Sequence, residues 1–367
     1  MRAPPAGSAF KRAAVAASNR SGASRNFLVV LLAITALSAG TGHAAPSASS
    51  TREYRYVMGT SVEVEAFGGE AVTRQAAIEE AFGAIFEVDR LMSNYRDDSE
   101  LSLVNRIAAQ TAAQVSDPMF SVLEAAQEVS ARSQGAFDVT AGPLVRLWGF
   151  YSKQPHLPTA EELRAVRPLV DYRNVLLDRQ RHEVRFARPG VEIDLGGIAK
   201  GFAVDLAAGV LRRHGLAGFI DAGGNQYALG HPEGKLLWSI GVKDPNDPNR
   251  LIGAIETAET SISTSANYAN FLTSNGRAYG HILDPHSLKP SEKALSATIL
   301  SRDGTLADAM SKAAFILGPK AGLDLVASFP GMSALIAYRD ANGGVALAMS
   351  ERLKAAFHPS GRKNTTD

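Results

Sequence analysis

The chain of 367 residues contains no cysteine. This absence excludes disulfide bonds and a lipid-modified N-terminal cysteine. An excess of positive charge is also lacking: the whole chain carries +1, and its first 45 residues hold five cations and no acid, so the remainder is close to −4. A nucleic-acid-binding surface needs a basic excess, so we expect no nucleic acid among the partners. No repeat of fixed period is present either, which argues against a solenoid.

Residues 1–45 have the three parts of an export signal. A basic stretch over residues 1–25 precedes a mostly apolar run over residues 27–39, and Gly42-His43-Ala44 has the small residues of a cleavage site. The alternative is an uncleaved membrane anchor, but 13 residues are few for a bilayer. We therefore expect a periplasmic protein that is cleaved near Ala44 and is not a lipoprotein.

The remaining chain divides into a linker, one large domain and a tail. We place the linker at residues 46–53, the domain at residues 54–353 and a polar tail at residues 354–367. Helix and strand patterns both occur in the domain: residues 61–67 alternate as a strand does, and residues 305–317 form a helical pattern that Gly318-Pro319 ends. Since the two kinds do not alternate regularly, the sequence predicts a mixed fold of helices and strands and argues against a simple doubly wound parallel sheet.

One segment has the form of an anion-binding turn. A strand-like run over residues 183–195 meets Gly196-Gly197, and a helical pattern with one apolar face follows from Ala199. Glycines allow close backbone approach, and the free N–H groups of a helix N-terminus attract anions. Lys200 adds a positive charge and Asp194 an acceptor. Many such turns carry two glycines for packing alone, so the segment by itself leaves both interpretations open.

Seven segments in order resemble one family. They are Met58-Gly59-Thr60; Met92-Ser93-Asn94-Tyr95 with Asp98-Ser99-Glu100-Leu101; Gly135-Ala136-Phe137-Asp138-Val139-Thr140; Asp194 to Gly201; Ala222-Gly223-Gly224-Asn225; Ser263-Thr264-Ser265 leading to His281-Ile282-Leu283-Asp284-Pro285; and Ala307-Asp308-Ala309. Together they resemble the ApbE family of FAD:protein FMN transferases, once named thiamine-biosynthesis lipoproteins, over roughly residues 54–350.

The resemblance implies a fold, a reaction and partners. The fold would be an α+β, two-lobed arrangement related to T-fold modules, with FAD in the cleft between the lobes. The reaction would move FMN from FAD onto a Thr or Ser hydroxyl of a target flavoprotein, with release of AMP and the help of Mg²⁺. The target would be an exported or membrane-bound flavoprotein of an electron-transfer complex. Two alternatives remain open: a periplasmic FAD-binding protein without transferase activity, and an FAD pyrophosphatase that gives FMN and AMP.

The resemblance also assigns roles to residues. His281 would serve the site either as the base for the incoming hydroxyl, with Asp284 as the next candidate, or as a phosphate contact, and the metal would be held by the Gly197 carbonyl and Asp308. The FAD contacts would be Met58, Tyr95, Ala136, Phe137, Asp138, Asp194, Lys200 and Ile282.

Residue chemistry leaves simpler roles open for several of these positions. Tyr95 and Phe137 could stack on flavin or adenine rings, or they could pack in the core. Lys200 could contact phosphate or point into solvent. His281 could take a proton near neutral pH, or it could only hold a turn by hydrogen bonding.

The chain departs from the family pattern at Lys312, where a Thr normally follows the metal-binding Asp308 by four residues. Mg²⁺ prefers oxygen ligands, and an ammonium group cannot be one. Either Lys312 pairs with Asp308 in place of the cation, or it turns aside and leaves room for Mg²⁺, or the chain binds FAD without transferring FMN. Two smaller departures are Ala266, where Gly is usual, and Asn225, where Asp is common.

Overall fold

A computed structural model describes residues 50–360, except Lys153, Pro155, residues 268–270 and Asn275. The predicted leader, its cleavage site and the last part of the polar tail lie outside the described residues.

The α-helices are α1 (Ala71–Met92), α2 (Glu100–Ile107), α3 (Asp117–Arg132), α4 (Gly142–Leu147), α5 (Ala160–Val166), α6 (Ala199–Arg213), α7 (Gly304–Leu317), α8 (Pro319–Ala327) and α9 (Glu351–Lys354). The strands are β1 (Ser50–Val57), β2 (Thr60–Phe67), β3 (Ala113–Gln114), β4 (Val175–Asp178), β5 (Glu183–Phe186), β6 (Ala217–Ala222), β7 (Asn225–Leu229), β8 (Trp238–Asp244), β9 (Asp247–Thr257), β10 (Thr260–Ala266), β11 (Phe271–Ser274), β12 (Arg277–Gly280), β13 (Leu283–Asp284), β14 (Lys289–Pro290), β15 (Ser296–Ser301), β16 (Ser333–Arg339), β17 (Val345–Met349) and β18 (Phe357–Pro359).

An eight-stranded antiparallel sheet organises the fold, in the order β1-β2-β6-β7-β10-β15-β16-β17. Helices α1, α6, α7 and α8 cover one face of this sheet. A second sheet, ordered β18-β9-β8, packs on the other face through an apolar cluster that includes Ile262, Leu300 and Phe357. The prediction of an α+β fold without a doubly wound parallel sheet is confirmed.

Because successive side chains of a strand point to opposite faces, the sheet can present polar side chains to the helices and apolar ones to its other face. On β10, Ser261, Ser263 and Ser265 lie on the helix side, while Ile262 between them packs into the cluster on the other side. On β2, the predicted apolar set of Val62, Val64 and Ala66 is fully buried. The site therefore forms where the serine side of β10 meets α7.

Helices α6 and α7 approach each other unusually closely. A Cβ atom on Gly201 would lie 2.0 Å from the carbonyl oxygen of Gly304 and 2.7 Å from Cβ of Asp308. Asp205 on α6 also caps the start of α7, because its carboxylate accepts hydrogen bonds at 2.8 Å from the backbone N–H groups of Gly304 and Thr305. This contact fixes the helix that carries Asp308 and Lys312.

The strand predicted over residues 183–195 is wrong in its second half. Strand β5 ends at Phe186, and residues 191–195 are extended without a neighbouring strand. The side chain of Asn105 from α2 replaces that neighbour: its Nδ2 donates to the Ile193 carbonyl at 2.9 Å, and its Oδ1 accepts from the Ile193 N–H at 2.8 Å. The chain thus reaches the Gly-Gly turn in an extended form that an asparagine, not a ladder, holds.

Several predicted boundaries also shift. Strand β1 begins at Ser50, inside the segment predicted as a linker, and β18 pairs with β9 inside the predicted polar tail. The cap of α3 is Ser116, since its hydroxyl accepts from the N–H of Met119. On α6, the predicted apolar face is buried except at Phe202, which is partly exposed, and at Leu206, which is 37% exposed.

Within the part of the chain that the structure describes, no helix has both the length and the apolar character needed to span a bilayer.

Candidate active site

The Gly196-Gly197 turn is held between an acid, a lysine and an aromatic ring. Asp194 Oδ1 accepts a hydrogen bond from the Gly196 N–H at 2.7 Å, and Lys200 Nζ donates to the Gly196 carbonyl at 3.2 Å. The ring of Phe137 covers Gly197 so closely that a Cβ atom there would lie 3.1 Å from Cε2. Lys200 sits in the first turn of α6, so its charge and the helix N-terminus lie on the same side of the turn.

Asp308 is fully buried on α7 and directs its carboxylate at the start of α6. Its Oδ2 accepts from the Gly201 N–H at 3.0 Å, and its Oδ1 lies 3.4 Å from the Ser263 hydroxyl oxygen. Lys312, one turn further along α7, donates to the same Oδ1 through its ammonium group. Both carboxylate oxygens are thus occupied by groups of the protein.

A network of small polar side chains supports this carboxylate. Ser263 donates to Asn225 Oδ1 at 2.6 Å, and Ser265 and Ser311 share a hydrogen bond of 2.7 Å. The Ser311 hydroxyl also reaches the Asp308 carbonyl at 2.7 Å. These bonds join β7, β10 and α7 beneath the site, and they give Asn225, the residue that departs from the common Asp, a partner of matching polarity.

Lys312 is 20% exposed at its side chain. Burial lowers the pKa of the ammonium group, and the positive charge of Lys200 lowers it further. The negative charge of Asp308 raises the pKa and offsets part of this decrease. The aliphatic part of Lys312 passes Gly197, because its Cδ would lie 4.0 Å from a Cβ atom placed there. Two lysines from different helices therefore flank one Gly-Gly turn.

The residues at Asp308 do not fit a divalent metal in this arrangement. One carboxylate oxygen holds a backbone N–H and the other an ammonium group, and a cation bound there would face the charge of Lys312. Among the described residues, no group of three or more His, Cys, Asp or Glu side chains is placed to hold a metal. Of the two ligands expected from the resemblance, Gly197 and Asp308, the second is already paired.

Two tyrosines form the exposed side of the site. Tyr95 is 76% exposed, and its ring meets that of Tyr151 edge to face with centroids 5.9 Å apart. The Tyr151 hydroxyl donates to Asp194 Oδ2, and burial, with the charge of Asp194, raises the pKa of that hydroxyl. An exposed Tyr95 is unlike a core residue, whereas Phe137 is buried. Tyr151 was not predicted, because it lies 43 residues from Asp194 in a segment without a motif.

Ala136 and Asp138, the neighbours of Phe137 in sequence, are buried beside the Gly196-Gly197 turn. Asp138 Oδ1 accepts from the N–H and hydroxyl of Thr140 at 2.8 and 2.6 Å, and Oδ2 accepts from the N–H of Tyr172 at 2.8 Å. Burial raises the pKa of Asp138 to about 6, against the effect of these hydrogen bonds. In this structure both its oxygens hold local backbone and hydroxyl groups, and Ala136 can offer a ligand only its backbone.

The segment with His281, Ile282 and Asp284 follows strand β12. His281 is partly buried, and Ile282 and Asp284 are buried. Asp284 Oδ1 accepts from the N–H of His286 at 2.9 Å, and His286 Nε2 meets the Gln134 carbonyl at 2.9 Å. Asp284 thus shapes a loop that rests on the turn before Ala136. The contact of His286 with the Gln134 carbonyl in this loop was not predicted from the sequence.

His281 lies near the serine end of β10. Gly280, its neighbour, packs so tightly on the side chain of Asn267 that a Cβ atom would lie 2.2 Å away. Asn267 follows Ser265 by two residues, and Ser265 hydrogen-bonds to Ser311 beside Lys312. The chain therefore brings the histidine segment to the end of β10 that faces α7.

Met58 lies at the turn of a β-hairpin and packs against the main hydrophobic core. Met58 and Gly59, with φ of 53° and 73°, form the two-residue turn between β1 and β2. The adjacent Thr60 contacts Gly223 in the β6–β7 turn, where a Cβ atom would lie 2.7 Å from the Thr60 hydroxyl. Asn225, two residues after Gly223, accepts the hydrogen bond from Ser263 beneath the site.

Phe137 packs on Gly197, Asp194 and Lys200 hydrogen-bond to Gly196, and Asp308 is connected to the turn through Lys312. Tyr95 is connected through Tyr151, and Met58 through the β6–β7 turn. Ala136, Asp138, Ile282 and Asp284 are buried supports of the turns around the site.

Comparisons with known proteins identify the family of this chain. A model of the ApbE family matches residues 58–336. An FAD:protein FMN transferase of Treponema pallidum is 30% identical over 323 residues, which cover 83% of this chain and 89% of that protein. A second one, from Haemophilus influenzae, is 32% identical over 305 residues, covering 80% and 88%.

Solved structures give the same result. The ApbE protein of Thermotoga maritima superposes with a TM-score of 0.77 at 31% identity, over 84% of this chain and 99% of that chain. The flavin transferase ApbE of Vibrio cholerae superposes with a TM-score of 0.75 at 26% identity, over 84% and 99%. The family match spans three quarters of the sequence and nearly all the site residues, and the chain belongs to the ApbE family.

Proposed function

We propose that this protein is an FAD:protein FMN transferase, which moves FMN from FAD to a Thr or Ser hydroxyl of a partner protein and releases AMP. The observation that carries the proposal is the pair of ammonium groups, Lys200 and Lys312, at the Gly196-Gly197 turn beside the N-terminus of α6. Phosphate oxygens are the natural ligands of such a turn. Curated relatives at 30–32% identity carry this activity by name, and they favour it over simple FAD binding or FAD hydrolysis.

The reaction balances as one substitution at phosphorus. The acceptor hydroxyl oxygen forms a bond to the phosphorus on the flavin side of the diphosphate, and the bond from that phosphorus to the bridging oxygen breaks. AMP leaves with the bridging oxygen and its electron pair, and the hydroxyl proton passes to a base. The two lysines and the α6 N-terminus would stabilise the negative charge on the phosphoryl oxygens.

We assign the base to His281, because an imidazole takes a proton near neutral pH. Its segment ends at the Asp284 loop, which rests on the turn that leads to Phe137. Tyr95, exposed at the rim, would stack on a ring of FAD, and Asp194 fixes Tyr151 behind it. The FAD cleft between two lobes and the contacts of Met58 and Ile282 with FAD are part of this proposal.

The residues of this chain give less support to a bound metal than to any other component of the family's reaction. Mg²⁺ is what the resemblance implies, but Asp308 is paired with Lys312 and with the Gly201 N–H. We therefore route no step of the reaction through a metal.

The acceptor would be an exported or membrane-bound flavoprotein of an electron-transfer complex, since residues 1–45 read as an export signal. We propose that the mature protein is periplasmic and starts after Ala44. N-terminal sequencing of the protein recovered outside the cytoplasm should begin at Ala45. A full-length chain that sediments with membranes would identify residues 27–39 as an anchor.

The decisive experiment weighs an acceptor protein after incubation with the mature enzyme and FAD. We expect the acceptor mass to increase by one FMN linked as a phosphoester, and we expect AMP in equal amount. A matched acceptor whose Thr is replaced by Val should stay unmodified. Release of FMN and AMP without labelling would instead indicate a pyrophosphatase, and bound, intact FAD would indicate a binding protein.

A further inference from the structure

We propose that the ammonium group of Lys312 is the resident cation of this site, and that it contacts the diphosphate of FAD where a divalent metal ion would otherwise do so. This inference rests on the proposed function for the identity of the ligand. It goes beyond that function because it makes FAD binding independent of divalent metal.

The position of Lys312 is fixed from both ends of its side chain. Its backbone lies on α7, four residues after Asp308, so the two side chains share one helix face. Its aliphatic part passes Gly197, and its ammonium group rests on Asp308 Oδ1. The charge is therefore held between α7 and the Gly-Gly turn instead of extending into solvent.

Asp308 is itself held, so the pair is preorganised. The Gly201 N–H donates to the carboxylate, and the Ser263 hydroxyl, which donates to Asn225, lies against its other oxygen. Since a lysine loses much rotamer freedom when it is ordered, a preset position favours its use as a ligand contact.

Local charge argues against a metal in addition to the lysine. At the turn Lys200 and Lys312 balance Asp308 and Asp194, and the α6 N-terminus adds partial positive charge, so the ammonium groups already supply the positive charge that Asp308 needs. A divalent ion on Asp308 would meet the Lys312 ammonium at contact distance, and Lys200 nearby would add to the repulsion. The diphosphate of FAD can pair with the two ammonium groups without that repulsion.

The test measures the dissociation constant of FAD by flavin fluorescence, without turnover, in EDTA and in millimolar Mg²⁺. For the parent protein we expect the two values to agree within about twofold. In EDTA, Lys312→Met should weaken FAD binding about 10- to 100-fold, the loss expected for one charged hydrogen bond. Lys312→Thr should be equally weak in EDTA but should regain affinity in Mg²⁺, because it frees Asp308 for the metal. Lys320→Met, a change at an exposed lysine of α8, is the matched control and should bind FAD as the parent does.

Two results would overturn the proposal while leaving the transferase function intact. One is a parent protein that binds FAD tenfold or more tightly in Mg²⁺ than in EDTA. The other is a folded Lys312→Met variant that binds FAD in EDTA as well as the parent does. If that variant does not melt cooperatively, Lys312→Arg replaces it and should keep metal-independent binding. A parent that binds no FAD under either condition would overturn the proposed function as well.

Discussion

At the scale of single residues, His281 is the side chain whose chemistry is most open to a direct test. We expect His281→Ala to bind FAD with unchanged affinity and to lose about 10²- to 10⁴-fold in the rate of FMN transfer, the usual scale for a positioned general base. The measurement is single-turnover labelling of an acceptor, together with FAD titration of the same variant.

The control for this prediction is His358→Ala, which removes an exposed imidazole on β18 whose partner is Glu256. It should transfer FMN at the parent rate. If His281→Ala transfers within a few-fold of the parent, the histidine is structural and Asp284 becomes the candidate base. If FAD affinity falls as well, His281 belongs to the binding surface.

Sequence motifs named the charged candidate residues of the site, but they did not show which side chains contact one another. Asp194, Lys200 and Asp308 stand in short segments whose residue types already point to phosphate or metal chemistry. Tyr151 and His286 have no such signal, because each acts through a partner far away in sequence: Asp194 for Tyr151, and the Gln134 carbonyl for His286. The pairing of Lys312 with Asp308 was open in the sequence, since helical spacing allows the contact without requiring it.

At the scale of elements, the close contact of α6 and α7 predicts a large effect from one methyl group. Gly201→Ala would place a Cβ atom 2.0 Å from the Gly304 carbonyl, so the helices must separate. We expect a loss of about 2–4 kcal/mol in the free energy of unfolding, measured by urea denaturation, because overpacking of this kind moves backbone.

Gly209→Ala on the same helix is the matched comparison. Its Cβ would meet only the Arg213 guanidinium, at 3.8 Å, so it should stabilise the protein by about 0.5–1 kcal/mol through helix propensity. Equal effects of the two substitutions would show that the helices do not touch at Gly201.

Helices were predicted more accurately than extended segments. The pattern from Thr305 to Leu317 matched α7 within one residue, because a glycine and a proline end it. The extended run after Phe186 could not be distinguished from a strand, since Val191, Ile193 and Leu195 alternate inward in the same way. Asn105 on α2 and the Val139 carbonyl, both distant in sequence, decide what satisfies that backbone.

At the scale of the whole molecule, a buried carboxylate should make stability depend on pH in an unusual direction. Burial, and secondly the charge of Asp303, raise the pKa of Asp205 from 3.8 to about 7. Between pH 4 and pH 7 Asp205 then binds more protons in the folded state than in the unfolded state. The contribution of Asp205 to the free energy of unfolding therefore falls as pH rises, and it levels off above pH 7.

Asp205→Asn removes this titration. The difference in free energy of unfolding, parent minus variant, should therefore decrease from pH 4.5 to pH 7.5, by at most about 4 kcal/mol. Urea denaturation at the two pH values measures it, and other titrating groups, Asp138 among them, cancel in the difference. A difference that stays constant or increases with pH would contradict the raised pKa.

The topology of the sheet was beyond prediction from residue patterns. Strand β2 pairs with β6 more than 150 residues later, and the chain returns from β10 to β15 across the β11–β14 hairpins. Periodicity reports which face of a strand is buried, but it carries no information on which strand is the neighbour. Patterns indicated a mixed fold of helices and strands and the family resemblance implied its α+β class, whereas the order of strands came from the structure.

The packing of α6 on α7 has a thermodynamic consequence for ligand recognition. Because those helices touch backbone to backbone, we expect the structure beneath the Gly-Gly turn to change little when a ligand binds. The outer ring, Tyr95, contacts Tyr151 only at its edge and is largely exposed. Ordering entropy on binding should therefore arise mainly at the aromatic rim and in the ligand itself, while the phosphate end of the site behaves as a rigid template.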